Sequence, residues 1–233
     1  MNTKKMNTNK INLNEMTLEE TDRVSAQSQT KQEPSSQTHD RTDELELRPF
    51  GRSNPEYEEV YRLYYDAFPD SERKPMEMIL QSVQEGTMEA YSAFDQNEFA
   101  GLIFLVKGEQ ADILDYLAVN PNLRDRGIGS RLLSWLKGHR SKPFIIEIES
   151  TFTASDPMPA RRKAFYLRNG MIECDQEILL FGVEMELLSY PVPVTYDQYY
   201  NVLSSYLDAF SQIDYHDCLA ALQPRKDLSK ENQ

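Results

Sequence analysis

The sequence predicts an α/β fold in which a mixed, mostly antiparallel central sheet is flanked by helices. Along residues 44–222 the apolar spacing changes repeatedly between period two and period 3.6, as it does where strands and helices alternate. The run Leu102–Val106 is apolar on both faces, which is typical of a central strand. All of the aromatic residues (13 Tyr, 10 Phe and 1 Trp) lie after residue 43, where they can build a core.

The first half of this region begins with a strand and two helices. Leu45 and Leu47 alternate with charged residues up to Phe50 and predict the strand. Asn54-Pro55-Glu56 predicts a helix start with Asn54 as N-cap, and Pro69 closes that helix. A second helix is predicted from Pro75 to Gly86. Three strands should follow, at 88–94, 98–107 and 111–119.

In the second half, helices and strands alternate. A helix from Ile128 to about Gly138 precedes a buried strand at Phe144–Ile148 and a helix at Ala160–Arg168. A closing strand pair is predicted at 171–175 and 177–189. Thr195-Tyr196-Asp197-Gln198 fits a capping box for a last helix. Its aromatic residues are predicted to cover a sheet face or to form a homodimer contact: Tyr199, Tyr200, Tyr206 and Phe210.

The polar ends of the chain set the expected domain boundaries. Residues 1–43 carry only isolated aliphatic side chains, too few to offset chain entropy, so we predict a disordered tail. A shorter disordered tail is predicted at 223–233. Residues 44–222 are expected to form a single domain, with a helical extension from about residue 195.

Composition excludes several classes of protein. A net charge of −13 argues against nucleic-acid binding, and no apolar run is long enough to cross a membrane. Cys174 and Cys218 cannot form a disulfide framework, and three scattered histidines argue against a zinc enzyme. We therefore expect a cytoplasmic protein without a metal.

The segment Leu117–Ser130 carries the clearest chemical signal. A strand ends, a short loop follows, and Gly127 and Gly129 open a helix whose free amides and positive dipole end suit a phosphate. The segment lacks the Lys-Ser/Thr of a P-loop and the third glycine of a dinucleotide fingerprint. The alternative is that both glycines serve only helix entry and tight packing.

Local charge favours a bound anion near this segment. Residues 121–143 carry a net charge of +5 and residues 160–170 a net charge of +4, within a chain whose total is −13. Because salt screens exposed charges over about 8 Å, the local sign governs a bound anion. The alternative is that the two basic segments are simply solvent-exposed helix faces.

Two motifs resemble those of the GNAT superfamily of acyl-CoA N-acyltransferases. Arg124-x-x-Gly127-x-Gly129, after Leu117-Ala118-Val119, resembles the Arg/Gln-x-x-Gly-x-Gly/Ala signature. The segment Ala164–Met171 resembles the family's A-x-F-Y-x-x-x-G-F segment, with Met171 in place of Phe. Ala67-Phe68-Pro69 with Glu72-Arg73, and the pair Arg161-Arg162, resemble a subgroup from Gram-positive bacteria.

The resemblance implies acetyl-CoA as cosubstrate and direct attack by an amine. It implies that the pyrophosphate lies on backbone amides of the loop, namely Arg124, Asp125, Arg126, Gly127, Ile128, Gly129 and Ser130. The pantetheine arm would pair with the backbone of Leu117, Ala118 and Val119, which splays from the strand Phe144–Glu149. Tyr166 would protonate the departing thiolate, since a phenol with a pKa near 10 is protonated at neutral pH.

The reaction also needs a base, because an alkyl amine is mostly protonated at neutral pH. Glu147 and Glu149 lie on the same side of one strand. Burying two acids without partners on an otherwise apolar strand is costly, which favours a functional role for them. Glu149 is the predicted base, with Asp115 as the alternative and Glu147 in the acceptor site. Solvent exposure of this strand face explains at least one of the two glutamates equally well.

The acceptor is predicted to be a small-molecule amine or a peptide amine, with Phe68, Glu72 and Arg73 in its site. An internal Glu/Arg pair that pins the linker between two helices accounts for the same residues. The predicted function is thus an N-acetyltransferase acting on a primary amine. The alternative is a non-catalytic acyl-CoA-binding sensor or interaction module on the same fold, and a nucleotide-binding domain of another α/β family is remote.

Overall fold

The architecture is a central sheet covered by helices on both faces. A computed structural model describes residues 44–70, 72–153, 156–208 and 219–221. The strands are β1 (Glu46–Pro49), β2 (Met88–Asp95), β3 (Glu98–Val106), β4 (Asp112–Val119), β5 (Phe144–Glu149), β6 (Ile172–Leu180), β7 (Val183–Tyr190) and β8 (Leu219–Ala221). The α-helices are α1 (Tyr57–Ala67), α2 (Met76–Glu85), α3 (Ile128–His139), α4 (Met158–Arg168) and α5 (Tyr196–Asp208), with a 3₁₀ turn at Pro121–Leu123.

The sheet has the strand order β1-β2-β3-β4-β5-β7-β6-β8. Neighbouring strands are antiparallel throughout, apart from β4 and β5, which are parallel. The predicted fold class, a mixed and mostly antiparallel sheet flanked by helices, is confirmed. The parallel pair requires a crossover, which α3 provides.

Each face of the sheet has its own hydrophobic core. The first face packs against α1, α2 and α5 through residues such as Tyr64, Ile79 and Tyr199. The second face packs against α3 and α4 through residues such as Leu132 and Tyr166. Two faces that are both covered explain why β3 is buried from Phe99 to Val106, as its apolar sequence predicts.

Several local signals are confirmed in atomic detail. The Thr195 amide donates to Gln198 Oε1 at 2.9 Å, and the Gln198 amide donates to Thr195 Oγ1 at 3.2 Å, which completes the predicted capping box. Gly86 ends α2 in the left-handed region at φ +79°. The helix α5 packs on the sheet, which is the first of the two roles predicted for its aromatic residues.

Two boundary predictions are wrong. Asn54 is not the N-cap of α1, which begins at Tyr57, because the Asn54 Oδ1 accepts the Gly51 amide at 3.0 Å in a preceding turn. The strand predicted at 177–189 is in fact the end of β6 and all of β7, with the turn at Phe181-Gly182. Both turn residues have positive φ, the geometry of a tight hairpin. The break predicted near residue 176 corresponds instead to a shift of register within β6, between Glu173 and Glu177.

The tails predicted at 1–43 and 223–233, and Phe210, lie outside the described residues. Among the residues that are described, no helix combines the length and the apolar character that a membrane crossing requires.

Candidate active site

The parallel strands β4 and β5 separate soon after they begin. They pair only at Asp112 with Phe144 and at Ile113 with Ile145, and both strands then continue without pairing to each other. The later part of β4, including Leu117 and Ala118, pairs with β3 alone. Its other edge therefore presents backbone groups to the gap, and an extended ligand can bind to such an edge as an added strand.

A backbone cradle follows β4 at the head of this gap. Asp125 and Gly127 both have left-handed backbones, at φ +64° and +74°. Arg131 donates the first backbone hydrogen bond of α3, to the Gly127 carbonyl at 3.1 Å. The amides of residues 128–130 therefore precede the hydrogen-bonded ladder of α3, and their dipoles add to the positive end of the helix. This arrangement can bind a phosphate.

The two glycines of the motif have different surroundings. A Cβ on Gly127 would meet no atom within 4 Å, so this position borders open space, and glycine is required there by its positive φ. A Cβ on Gly129 would lie 3.1 Å from Phe165 Cζ, so glycine permits close packing of α3 on α4. Gly129 thus serves tight packing, whereas Gly127 serves the left-handed backbone of the turn.

Ion pairs reduce the positive charge of the two basic segments. Arg140 and Lys142 pair with the buried Asp112, and Lys163 pairs with Glu186. Within the described parts of the chain, Arg124 and Arg126 form no ion pair, and both are exposed beside the cradle. They are the cations of this loop that remain available to an anionic ligand.

Among the buried tyrosines of the described residues, Tyr166 is the one whose hydroxyl has no hydrogen-bond partner. Four buried tyrosine hydroxyls have protein partners, those of Tyr64, Tyr116, Tyr199 and Tyr206. The Tyr166 hydroxyl has none among the described residues, although the side chain is only 8% exposed. Burial raises the pKa of Tyr166 to about 12, and the charge of Arg162 lowers it slightly. A phenol hydroxyl without a protein acceptor is available to donate to a ligand.

A cluster of charged and polar side chains lies on the opposite face, beside the same gap. Lys74 Nζ donates to both carboxylate oxygens of Asp115, at 2.8 and 2.7 Å. The Tyr199 hydroxyl donates to Glu147 Oε1. Burial raises the pKa of Glu147, the nearby Asp115 raises it further, and the Tyr199 hydrogen bond and Lys74 oppose the rise. Asp115 is thus neutralised by an ion pair, whereas Glu147 is held by a neutral donor.

Glu149 borders a cleft of about 320 Å³ at the end of β5. Three acidic and four uncharged residues line this cleft: Glu149, Asp156 and Glu184, with Ser150, Thr153, Pro159 and Val183. Glu72 lies close enough that the charge of Glu149 adds to burial in raising the pKa of Glu72, while Arg162 lowers it. The cleft has a negative electrostatic character.

The other two predicted acceptor residues have structural contacts. Phe68 packs edge-on against Tyr116, with ring centroids 4.9 Å apart, on the first core. Arg73 pairs with Asp70, donates to the Tyr65 carbonyl and stacks over the Tyr65 ring. The predicted Glu/Arg pair within the linker therefore exists with Asp70 as the acid and not Glu72.

Comparison with known proteins finds one family model that matches part of the chain. Residues 87–171 match the family model described as an acetyltransferase (GNAT) domain. This part of the chain is similar to GNAT acetyltransferase domains. The matched range begins just before β2 and ends after α4, so it includes the gap, the cradle and Tyr166. A search of curated protein sequences finds no significant match.

Solved structures share the GNAT fold. A GNAT-family protein from Bacteroides thetaiotaomicron is 20% identical, with a TM-score of 0.60 over 72% of this chain and 97% of that one. A GNAT acetyltransferase from Elizabethkingia anophelis with acetyl-CoA bound is also 20% identical, with a TM-score of 0.47 over 64% and 99% of the two chains. An aminoglycoside 6′-N-acetyltransferase from Enterococcus faecium is 19% identical, with a TM-score of 0.47 over 64% and 99%. At 20% identity, the likeness to the first of these structures establishes the fold alone.

Two residues of the candidate site, Lys74 and Tyr199, do not belong to any motif that the sequence shows. Lys74 is 41 residues from its partner Asp115, and Tyr199 is 52 residues from Glu147. The capping box predicts the helix that carries Tyr199, and the helical spacing predicts that its aromatic face is buried. Nothing local predicts which strand that face meets. Among the described residues, no cluster of three or more His, Cys, Asp or Glu could hold a metal ion.

Proposed function

We propose that this GNAT domain transfers an acetyl group from acetyl-CoA to a primary amine. The observation that carries the proposal is the gap between β4 and β5, with the Gly127 cradle at its head. The open edge of β4 can pair with the amides of the pantetheine arm. The backbone amides that follow it suit the diphosphate, so the two features match coenzyme A in the order of its parts. The family match over residues 87–171 supports the same donor.

The cradle fits the cosubstrate. The free amides of residues 128–130 and the exposed Arg124 and Arg126 would bind its phosphates. Leu117, Ala118 and Val119 would pair with its pantetheine arm through their open edge. Acetyl-CoA supplies an activated acetyl group as a thioester, together with a thiolate leaving group.

Tyr166 would act as the general acid. The amine forms its bond to the thioester carbonyl carbon, the carbon–sulfur bond breaks, and the sulfur takes the electron pair and a proton. The Tyr166 hydroxyl has no hydrogen-bond acceptor among the described residues, and a pKa of about 12 keeps it protonated at neutral pH. Because it is protonated, it can donate the proton as negative charge develops on sulfur.

Glu147 is the best-placed group to receive the proton of the amine. A lysine-like amine with a pKa of about 10.4 costs roughly 4–5 kcal/mol to deprotonate at pH 7. Burial raises the pKa of Glu147, which makes it a better base than an exposed carboxylate. Asp115 is bound by Lys74, and Glu149 borders the wider cleft. We therefore assign the proton transfer to Glu147 and binding of the amine to Glu149, the reverse of the assignment favoured by strand position alone.

The acceptor would be a cationic amine. Glu149, Asp156 and Glu184 line the cleft, and Glu72 adds a fourth carboxylate near Glu149. A bound ammonium group relieves the repulsion between these acids, whereas an acidic acceptor increases it. Polyamines, aminoglycosides and basic peptides have the required charge.

Calorimetry with CoA and turnover of acetyl-CoA test this proposal in sequence. We expect saturable CoA binding and faster turnover with polyamines, aminoglycosides or basic peptides than with acidic amino acids. Absence of CoA binding would refute the donor assignment. Binding without turnover of any amine would instead support a non-catalytic acyl-CoA-binding module.

A Tyr166→Phe variant tests the general acid. The variant should lower kcat by about 100-fold or more, the usual contribution of a general acid, and leave the affinity for CoA nearly unchanged. Tyr64→Phe is a matched control, since it removes a buried hydroxyl bonded to the Lys74 carbonyl. Equal losses of kcat in the two variants would mean that Tyr166 acts only through the core.

A further inference from the structure

The C-terminal helix α5 lies outside the residues that match the family model, yet it contacts the proposed proton acceptor. The matched range ends at residue 171, and α5 begins at Tyr196. We propose that Tyr199 is a positioning residue, whose hydroxyl fixes the Glu147 carboxylate at the β4–β5 gap. This inference rests on the proposed function, because it assigns a role in the same proton transfer.

The strand register puts Glu147 at the start of the gap. The last β4–β5 pair is Ile113 with Ile145, and Glu147 follows two residues later on β5. Glu147 Oε1 accepts the Tyr199 hydroxyl. Among the described residues, no donor lies within hydrogen-bond distance of Oε2, and the side chain is partly exposed although its strand neighbours Ile146 and Ile148 are buried. One oxygen is therefore fixed by the protein, and the other remains available to a ligand.

Within the described part of the chain, Glu147 is the hydrogen-bond partner of the Tyr199 hydroxyl, and no second one is found. The ring is fully buried in the first core, which holds it in one orientation. Burial and the charge of Glu147 both raise the pKa of Tyr199, so the hydroxyl stays protonated and donates. A phenylalanine would fill the same core volume without this hydrogen bond. The hydroxyl is thus explained by Glu147 and not by packing.

The charged groups around Glu147 act in opposite directions. From β4, Asp115 disfavours ionisation of Glu147, and from the segment between α1 and α2, Lys74 favours it. From α5, the Tyr199 hydroxyl favours the carboxylate form. On β5 itself Glu149 lies on the same side, and from β7 the paired residue is the uncharged Leu187. Loss of the Tyr199 hydroxyl should therefore raise the pKa of Glu147.

The full chain with Tyr199→Phe tests this role through the pH dependence of kcat/KM. The limb on the acidic side should move to higher pH by about one unit, the size expected for loss of a hydrogen bond to a charged group. Below that limb kcat/KM should fall by about tenfold, while the KM for acetyl-CoA stays unchanged. Tyr206→Phe is the matched control on α5, since the Tyr206 hydroxyl contacts Ser82 and Met88.

A carbon-13 NMR titration of the glutamate carboxyl groups gives a readout that does not need turnover. The Glu147 resonance is assigned by its loss in Glu147→Gln. If its titration moves upward in Tyr199→Phe and not in Tyr206→Phe, the positioning role is supported even in a protein that acetylates no tested amine. An unmoved Glu147 titration, or the same movement in both variants, overturns the role of Tyr199 and leaves the proposed acetyl transfer to be judged by turnover alone.

Discussion

A half-buried carboxylate whose pKa is raised, such as that of Glu147, makes folding less favourable at neutral pH. Burial raises the pKa of Glu147 above its usual range, so the folded protein binds this proton more tightly than the unfolded chain. The stability that this protonation gives is fully present below the unfolded pKa of about 4.3 and is lost as pH rises through the folded pKa. Active sites retain such groups because a raised pKa suits proton transfer.

At the scale of this residue, Glu147→Gln should stabilise the protein at pH 8 and not at pH 4. Glutamine keeps an oxygen that accepts the Tyr199 hydroxyl but carries no charge to desolvate. Calorimetric melting at the two pH values measures the difference in Tm. An exposed strand glutamate provides the control, Glu98→Gln, which should show no comparable gain. A lower Tm for Glu147→Gln at pH 8 would contradict the cost assigned to this carboxylate.

At the scale of the secondary-structure element, the backbone conformation at the start of α3 underlies the proposed binding of CoA. Gly127 adopts a left-handed backbone that other residues adopt with strain, and Gly129 lies against Phe165. The same Gly-x-Gly motif therefore combines a conformational requirement with a packing requirement. Its first glycine shapes the cradle, and its second brings α3 close to the helix that carries Tyr166.

Three alanine variants in or beside α3 separate these roles. Gly127→Ala should cost about 1–2 kcal/mol of stability through backbone strain and weaken CoA binding. Gly129→Ala should cost stability because its Cβ crowds Phe165, and Phe165→Leu in the same chain should recover part of that loss. Gly138→Ala, near the end of α3 with no atom within 4 Å of the new Cβ, should stabilise by up to about 1 kcal/mol.

Denaturant unfolding and CoA calorimetry measure the two effects in each variant. Unchanged CoA affinity in Gly127→Ala, with normal folding, would argue against a cradle at this turn. Failure of Phe165→Leu to relieve Gly129→Ala would show that the second glycine acts on something other than helix packing.

At the scale of the whole molecule, the proposed site draws on residues from both faces of one sheet. Tyr166 packs in the core on the face covered by α3 and α4, and Glu147 lies on the face covered by α5. All of these residues fall within the unit that runs from Thr42 to Gln233. We propose that residues 44–222 form the functional domain, and that residues 1–43 take no part in its folding.

A chain without residues 1–43 should therefore unfold at the same temperature as the full chain. It should also bind CoA and turn over acetyl-CoA at the same rate, because the polar tail has no aromatic residue to add to either core. Differential scanning calorimetry and steady-state kinetics on the two chains make the comparison. A fall in Tm or in kcat would assign residues 1–43 a role in the domain.

The periodic and capping signals explain why so many elements could be predicted. The strand at 98–107, the helix after Thr195 and the glycine turn before α3 each depend on residues that are adjacent in the chain. The β6–β7 boundary was mispredicted, because the polar residues near 176 resemble a turn, whereas the structure keeps them within a strand. Local polarity alone does not distinguish a bulge from a turn.

The sequence by itself determined the alternation of strands and helices, the turn at Gly127 and the place of Tyr166 on α4. Each of these depends on residues that are close together in the chain. Only the tertiary structure decided which acids are free to act. It paired Asp115 with Lys74 across 41 residues and Glu147 with Tyr199 across 52 residues. The physical reason is that the proton affinity of a carboxylate depends on burial and on charges brought near it by folding, and these are properties of the packed core.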